Sequence, residues 1–383
     1  MQEDPGVLFY PPPPIHFFMT LDEKRVKFLG ELSESFGPSG FERETAAMLK
    51  RNVSAYADEV THDRLGSLIC RKEGSSRSPR ILLAGHMDEV GFVITGIDRE
   101  TGFLSFGPLG GWFDQVLLGH RVRIRTSAGD VPGVIASKPP HLLGEEEREK
   151  VVKLNRMYID VGATSGDMVR EQFGVKIGDP VSPSAPFYTT MNGRVAVGKA
   201  FDDRVGTFVG VEVLRRLKEG TIAHPNTVYL ACTVQEEVGL RGAQTVANIV
   251  QPDVAIVLEV DIAGDVPGIK ADEAPARMGG GTSVLTYDAS MIPNQPLKQF
   301  VIKTAEDEGL RYQLSTVGRG GTDGGKFHLA GPGCPTIVLS VPARHIHSHS
   351  SSVDLEDVDT TVRLVLSVLK KLDVSAAESF VSS

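Results

Sequence analysis

The 383-residue sequence contains only three cysteines, Cys70, Cys232 and Cys334, and no two of them are close together in the chain. An odd number of isolated cysteines argues against a disulfide framework of the kind found in small secreted proteins. Each cysteine lies in an apolar run, which is typical of a buried hydrophobic side chain. We therefore expect free cysteines and a cytoplasmic location.

Several other features are missing. No stretch approaches the roughly 20 apolar residues that a membrane-spanning helix requires. The net charge of −9 argues against nucleic acid or an anionic membrane as a partner, because both require clustered lysine and arginine. No Gly-X-Ser-X-Gly motif supports a serine hydrolase. No Gly-Lys-Ser or Gly-Lys-Thr follows the glycine-rich loop at 318–325, which disfavours a nucleotide-binding protein.

Proline is concentrated near the beginning of the chain, with four consecutive prolines at positions 11–14. This segment has neither the basic start nor the apolar run of a signal peptide. Consecutive prolines favour an extended polyproline conformation. We expect residues 1–18 to form a Pro-rich, disordered leader, and the folded part to begin near Met19.

Two kinds of pattern divide the remainder of the chain. At both ends, helical spacing alternates with short apolar runs, which predicts an α/β fold with a mostly parallel central sheet and helices on both faces. In the middle, short β-like runs alternate with Gly and Pro turns, which is typical of a small β-barrel. The predicted architecture is one α/β domain at 19–90 and 188–383, interrupted by a β-rich domain at 91–187.

Five short segments place His, Asp or Glu at or beside the ends of predicted strands. Ligands of an open α/β sheet bind in the crevice at the carboxyl ends of its strands, so these segments are candidates for one common site. They are GHMDE at 85–89, AFDDRVG at 200–206, TVQEEVG at 233–239, LEVD at 258–261 and RHIHSH at 344–349.

Each segment alone also has an ordinary explanation. The paired acids Asp202 and Asp203 could cap a helix N-terminus, and the alternating histidines at 345–349 could form a surface or pH-responsive cluster. The segments at 85–89 and 233–239 can also be explained by metal chemistry. A carboxylate two residues after a histidine can hold one imidazole nitrogen while the other binds metal, and of two adjacent acids one can bind metal while the other takes a proton from water.

Together the segments predict a catalytic metal centre. They supply imidazoles, several carboxylates and one spare acid, which matches the needs of two metal ions joined by a bridging carboxylate. Imidazole with carboxylate suits zinc, cobalt or manganese better than calcium or magnesium. No segment contains cysteine, which argues against a closed structural zinc site.

In this order, the segments resemble the tetrahedral aminopeptidase family, which includes the glutamyl aminopeptidases and cellulase M-like proteins. The resemblance covers residues 19–372 and is carried by GHMDEVG, GKAFDDRVG, VQEEVGLRGA, GGTDGG and the run at 344–358. It implies an α/β peptidase domain with an inserted barrel-like dimerisation domain. It also implies self-association from dimers, up to twelve subunits in a hollow tetrahedron.

The resemblance also implies a role for each site residue. The metal ligands would be His86 and Asp261 on one ion, Glu237 and His347 on the other, and Asp202 bridging both. Glu236 would be the general base, and Asp88 would orient His86. The cofactors would be two divalent ions, Zn²⁺ first and Co²⁺ or Mn²⁺ as alternatives, and the reaction would be the removal of N-terminal residues from short peptides.

Some points of the sequence leave the interpretation open. His345 stands where the family usually has an aromatic residue, so we do not expect it to bind metal, and His349 also departs from the family pattern. A metal-dependent deacylase on the same scaffold is one alternative. An endoglucanase-type glycoside hydrolase is another, although it needs two carboxylates beside a sugar bond and no metal pair. Acidic, aliphatic and basic N-terminal residues all stay possible as substrates.

Overall fold

The structure is a computed structural model that describes residues 21–191 and 193–381. The predicted leader at 1–18 lies outside the described residues. Within residues 21–191 and 193–381, no helix is both long enough and apolar enough to cross a membrane. The α-helices are α1 (Glu23–Glu34), α2 (Arg43–Val53), α3 (Glu145–Arg148), α4 (Gly166–Glu171), α5 (Phe201–Glu219), α6 (Arg241–Val250), α7 (Gln295–Asp307), α8 (Gly324–Phe327), α9 (Leu355–Lys371) and α10 (Val374–Ser379).

The β-strands belong either to one large sheet or to a closed barrel. They are β1 (Glu59–His62), β2 (Leu68–Lys72), β3 (Arg80–His86), β4 (Gly91–Ile97), β5 (Leu104–Leu109), β6 (Arg121–Thr126), β7 (Gly129–Ala136), β8 (Tyr158–Asp160), β9 (Pro180–Pro183), β10 (Tyr188–Thr190), β11 (Val195–Gly198), β12 (Thr227–Thr233), β13 (Val254–Ile262), β14 (Thr282–Asp288), β15 (Tyr312–Val317), β16 (Thr336–Arg344) and β17 (Ser351–Asp354). Strands β4 to β9 form the barrel, which is therefore inserted in the chain between two strands of the sheet.

The large sheet is mixed: its four central strands are parallel, and of its outer pairs all but the parallel β14–β15 pair are antiparallel. Its order is β1-β2-β12-β3-β13-β16-β17-β11-β10, with β14 beside β16 and β15 beside β14. Strands β12, β3, β13 and β16 run parallel. Strand β3 and most of β13 are buried apolar runs, as expected for strands covered on both faces. The crevice at their carboxyl ends is thereby formed by four neighbouring strands.

Helices cover both faces of this sheet. Helices α1, α2, α5, α7 and α9 pack on one face, where Ile81 and Leu83 of β3 point. Helices α6 and α8 pack on the other face, against Leu82 and Ala84. Side chains alternate between the two faces along a strand, so each strand contributes to two cores. The predicted α/β fold is confirmed, with parallel pairing in the four central strands and in the outer pair β14–β15.

The barrel has a core of its own. Its strand order is β4-β5-β8-β7-β6-β9, closed by pairing of β9 with β4. Phe92, Ile94, Ile124, Ile159 and Val181 are buried inside it. Because β4 begins five residues after β3 ends, the barrel must lie beside the carboxyl end of β3. The predicted insertion of a barrel-like unit is confirmed.

A buried carboxylate joins the barrel to the sheet domain. Glu89 accepts hydrogen bonds from Lys199 Nζ at 2.6 Å, from Arg204 Nη2 at 3.1 Å and from Ser182 Oγ of β9 at 3.1 Å. Burial lowers the pKa of the Lys199 ammonium to about 7, although the charge of Glu89 opposes this shift. Removing one partner of a buried charge pair typically costs about 3–5 kcal/mol, so this contact holds the two units together.

Candidate metal centre

His86 stands at the carboxyl end of the central strand β3 and is buried. Its Nε2 atom lies 3.0 Å from Asp202 Oδ1 and 3.8 Å from both Glu236 Oε2 and Glu259 Oε1. Its Nδ1 atom lies 3.2 Å from the backbone oxygen of Asp88. One ring nitrogen is therefore held by Asp88, while the other faces three carboxylates.

Asp88 connects His86 to the loop that carries the paired glutamates. Its carboxylate lies 3.5 Å from His86 Nδ1 and accepts hydrogen bonds from the backbone nitrogens of Glu236 at 3.0 Å and Glu237 at 3.2 Å. Burial would raise the pKa of Asp88, but His86 and the Ser39 hydroxyl outweigh burial and lower it. A carboxylate held in this way can orient the imidazole and fix the glutamate loop together.

Asp202 lies between two imidazoles from distant parts of the chain. Its Oδ1 is 3.0 Å from His86 Nε2 and its Oδ2 is 3.2 Å from His347 Nε2. Both Asp202 and Asp203 have non-helical backbone angles at the start of α5. Burial would raise the pKa of Asp202, but His347 and His86 lower it. A carboxylate with one oxygen toward each imidazole has the arrangement that bridging two cations requires.

The acids Glu236 and Glu237 lie in the loop after β12, and both are almost entirely buried. Burial and neighbouring carboxylates raise the pKa of Glu236 well above its usual range, and they raise the pKa of Glu237 to about 8. Glu237 Oε1 lies 3.7 Å from His347 Nε2 and has no hydrogen-bond partner. Leaving a buried acceptor unpaired is costly, and a cation at this point would satisfy it.

The structure brings Glu259, and not Asp261, against His86. Strands β3 and β13 pair in parallel with Val257 opposite Ala84, so continuing that register places Glu259 level with His86. Asp261 lies one residue pair further along the same face. It accepts hydrogen bonds from Ser283 Oγ at 2.5 Å and from Ile262 N at 2.8 Å. Glu259 therefore faces the imidazole of His86, whereas Asp261 is hydrogen-bonded further along the strand.

The last of the five predicted segments, at 344–349, lies at the end of β16, and His347 is the one of its three histidines that faces the cluster. Its Nδ1 lies 2.6 Å from the backbone oxygen of Gly111, which belongs to the barrel unit. Burial would lower the pKa of His347, but Asp202 and Glu237 raise it to about 10. His349 instead stacks on His120, with ring centroids 4.0 Å apart, and neither of its ring nitrogens has a hydrogen-bond partner.

Within the described residues, two overlapping sets of side chains offer ligand atoms that all lie within 4.8 Å of one another. One set is His86, Glu236 and Glu259, and the other is His86, Asp202 and Glu237. His86 and His347 both have raised pKa values, because carboxylates surround them and favour their charged forms. A cluster that attracts protons this strongly also favours divalent cations, and its donors fit them.

The cluster lies in a cavity of about 1040 Å³. The ends of β3, β13 and β15 contribute to this cavity, as do the loops that follow β12 and β16. Asp261 and Ser315 line it as well, and Arg319 belongs to its wall on an exposed loop. The cavity is large enough for a short peptide segment, so the cluster is accessible to substrate.

Residues 66–364 match the model of the M42 glutamyl aminopeptidase family. FrvX of Escherichia coli (strain K12) is 39% identical over 93% of this chain and 98% of its own length. A crystal structure of a TET aminopeptidase from the marine sediment archaeon Thaumarchaeota archaeon SCGC AB-539-E09 is 55% identical, with a TM-score of 0.91 over 93% of this chain and 99% of that one.

A further solved structure, the Pyrococcus horikoshii TET1 peptidase, is described as assembling into a tetrahedron or a large octahedral shell. It is 31% identical, with a TM-score of 0.79 over 91% of this chain and 100% of that one. The family match extends over most of the chain, and the carboxylates and imidazoles converge at the sheet's carboxyl edge. The chain therefore belongs to the M42 glutamyl aminopeptidase family, and its activity is that of a metal-dependent aminopeptidase.

Proposed function

We propose that the chain releases single residues from the N-termini of short peptides by means of two divalent metal ions. The proposed ligands are His86, Asp202, Glu237, Glu259 and His347. The observation that carries the proposal is the position of Asp202, which presents one oxygen to each of two imidazoles. The donor set of imidazole and carboxylate favours Zn²⁺, with Co²⁺ or Mn²⁺ as alternatives.

The ions would supply Lewis acidity and lower the pKa of water. Glu236 would accept the proton of the attacking water and deliver it to the nitrogen of the leaving peptide as the C–N bond breaks. Its Oε2 lies 3.8 Å from His86 Nε2, so its carboxylate is beside the proposed ligands and can reach the reacting atoms. Asp88 would hold His86 and the backbone of Glu236 in place throughout, since it contacts both.

An acidic site also favours the positively charged N-terminus of a peptide. Glu237 and Glu236 both line the cavity, and we place the α-ammonium group of the substrate on the Glu237 side. An acetylated N-terminus lacks that charge. This position accounts for the removal of one residue at a time and disfavours N-acylated substrates.

Metal removal tests the proposed reaction. Treatment with EDTA should abolish hydrolysis of aminoacyl p-nitroanilides, because the acidic cluster alone has no Lewis acid to polarise a carbonyl. Adding Zn²⁺, Co²⁺ or Mn²⁺ separately to the apoprotein should restore it, with about two ions bound per chain at saturation.

Two comparisons accompany the chelation experiment. The N-acetylated p-nitroanilides should be poor substrates of the reloaded protein, whereas a deacylase would prefer them. Hydrolysis of a cellulose oligosaccharide that persists in EDTA would contradict the proposal and favour a glycosidase.

We further propose that residues 91–187 mediate dimerisation and that the chain assembles into a shell of twelve subunits. The barrel exposes large apolar side chains, with Phe113 59% exposed, Leu142 67% and Ile177 68%. A contiguous patch of exposed apolar side chains marks a protein interface, and we propose that these three residues contribute to one. The free, buried cysteines support a cytoplasmic location, which cell fractionation would check.

Light scattering during size-exclusion chromatography tests the assembly. The native chain should have a mass twelve times that of the 41.3 kDa monomer, and Ile177→Asp should reduce it. Ile292 is 71% exposed but lies outside the barrel, so Ile292→Asp is the matched control for dimerisation. A native protein that is monomeric at working concentration would refute the assembly while leaving the reaction untouched.

A further inference from the structure

Asp261 has no place in the metal cluster, yet it is a buried acid on the wall of the same cavity. We propose that Asp261 determines substrate specificity by binding the cationic side chain of an N-terminal lysine or arginine. This inference rests on the proposed aminopeptidase function and adds the substrate class to it.

The position of Asp261 along β13 fits that role. It follows the proposed ligand Glu259 by two residues on the same face of the strand, a separation of about 6–7 Å. The four-carbon stem of lysine spans a comparable distance. A substrate whose reacting carbonyl lies at the metal cluster can therefore extend its first side chain toward Asp261.

The carboxylate of Asp261 is held in place without a positive partner. Hydrogen bonds come from Ser283 Oγ, from Ile262 N and from the Ser315 side chain. Among the described residues, no lysine, arginine or histidine forms a salt bridge with it. These three donors leave one of about four acceptor positions of a carboxylate unused. Buried charges are normally paired, and a substrate cation would supply the missing partner.

The surrounding wall also suits a long side chain with a charged tip. Leu285 and Ile346 line the cavity with Asp261 and give the aliphatic stem an apolar surface. Arg319 would favour an acidic substrate, but it lies on an exposed loop, where water screens its charge. Asp261 is only 3% exposed, so its charge is screened far less and should decide the preference.

The test compares substrates that differ only in the terminal charge. The native, metal-loaded chain should hydrolyse lysine p-nitroanilide with a higher kcat/KM than norleucine p-nitroanilide, and arginine with a higher value than glutamate. Asp261→Asn keeps the size of the side chain and removes its charge. We expect it to lower the lysine-to-norleucine ratio by about 10- to 100-fold without changing the metal content.

Asp167→Asn is the matched control, because Asp167 is 86% exposed on the barrel and outside the cavity. If Asp261→Asn loses metal and slows all substrates by the same factor, Asp261 is a ligand and the inference is overturned. A native enzyme that cleaves norleucine or glutamate as well as lysine overturns it too, while the proposed reaction stands. Failure to cleave any of the four substrates with metal bound would overturn the proposed function itself.

Discussion

The substitution Glu236→Gln should lower kcat by about 10²- to 10⁴-fold, which is the usual contribution of a general base. The amide has nearly the same size as the carboxylate, so the loop after β12 should keep its conformation. It cannot accept a proton from water. Because Glu236 is held through its backbone nitrogen by Asp88, the substitution leaves that contact intact.

Two measurements on the same preparation check this expectation. Stopped-time assays with an aminoacyl p-nitroanilide give kcat, and elemental analysis gives the number of ions per chain, which should equal that of the native protein. Glu145 is exposed at the start of α3, and Glu145→Gln serves as the control. Undiminished turnover by Glu236→Gln with full metal content would remove Glu236 from the mechanism.

Replacing Asp202 with alanine should be more damaging, because both ions would lose a ligand at once. We expect zinc affinity to fall by at least about 100-fold, since loss of supporting contacts alone already weakens metal sites by about 10- to 100-fold. Turnover should fall with it. Asp202 also holds the imidazoles of His86 and His347 toward each other, so their positions would be less restricted as well.

Titration calorimetry of the apoprotein with zinc measures this loss directly. The native chain should bind two ions, whereas Asp202→Ala should bind fewer and more weakly. Asp272 is exposed, so Asp272→Asn should behave as the native chain does. Two ions bound by Asp202→Ala with native affinity would show that Asp202 does not bridge them.

Much of the candidate site could be predicted from the sequence because its residues lie next to short apolar runs that can be recognised as strands. His86 ends the buried strand β3, Glu259 follows the apolar run 254–258 within β13, and Glu236 follows β12, so each is a polar residue next to an apolar run. Parallel strands bring such ends to one edge. The segments that carry His86, Asp202, Glu236, Glu237 and His347 do converge there, as expected.

The choice between Glu259 and Asp261 could not be made in that way. Both residues point to the same face of β13, so alternation along the strand does not distinguish them. What separates them is the register between β13 and β3, which depends on hydrogen bonds between segments far apart in sequence. Glu259 is the first polar residue after the apolar run of β13, and choosing the first polar residue instead of the second would have favoured it.

The antiparallel flank that contains β17 and β11 was not predicted, for a related reason. Strand β17 is the Ser-rich segment Ser351–Asp354, whose composition has little β-propensity, yet it pairs with both β16 and β11. Its conformation is set by those neighbours and not by its own side chains. The contact between Gly111 and His347, 236 positions apart, is likewise invisible until the barrel is folded onto the sheet.

The contact between Gly111 and His347 means that the inserted barrel helps to position a residue of the proposed metal centre. A backbone oxygen of the barrel fixes the ring of a proposed ligand, and a serine of the barrel shares the buried Glu89 with the sheet domain. Removing the insertion would therefore release the imidazole of His347 and would also remove the proposed dimerisation surface. A barrel taken from another protein would have to place a backbone oxygen where Gly111 places its own. We therefore expect that the two units cannot be exchanged independently.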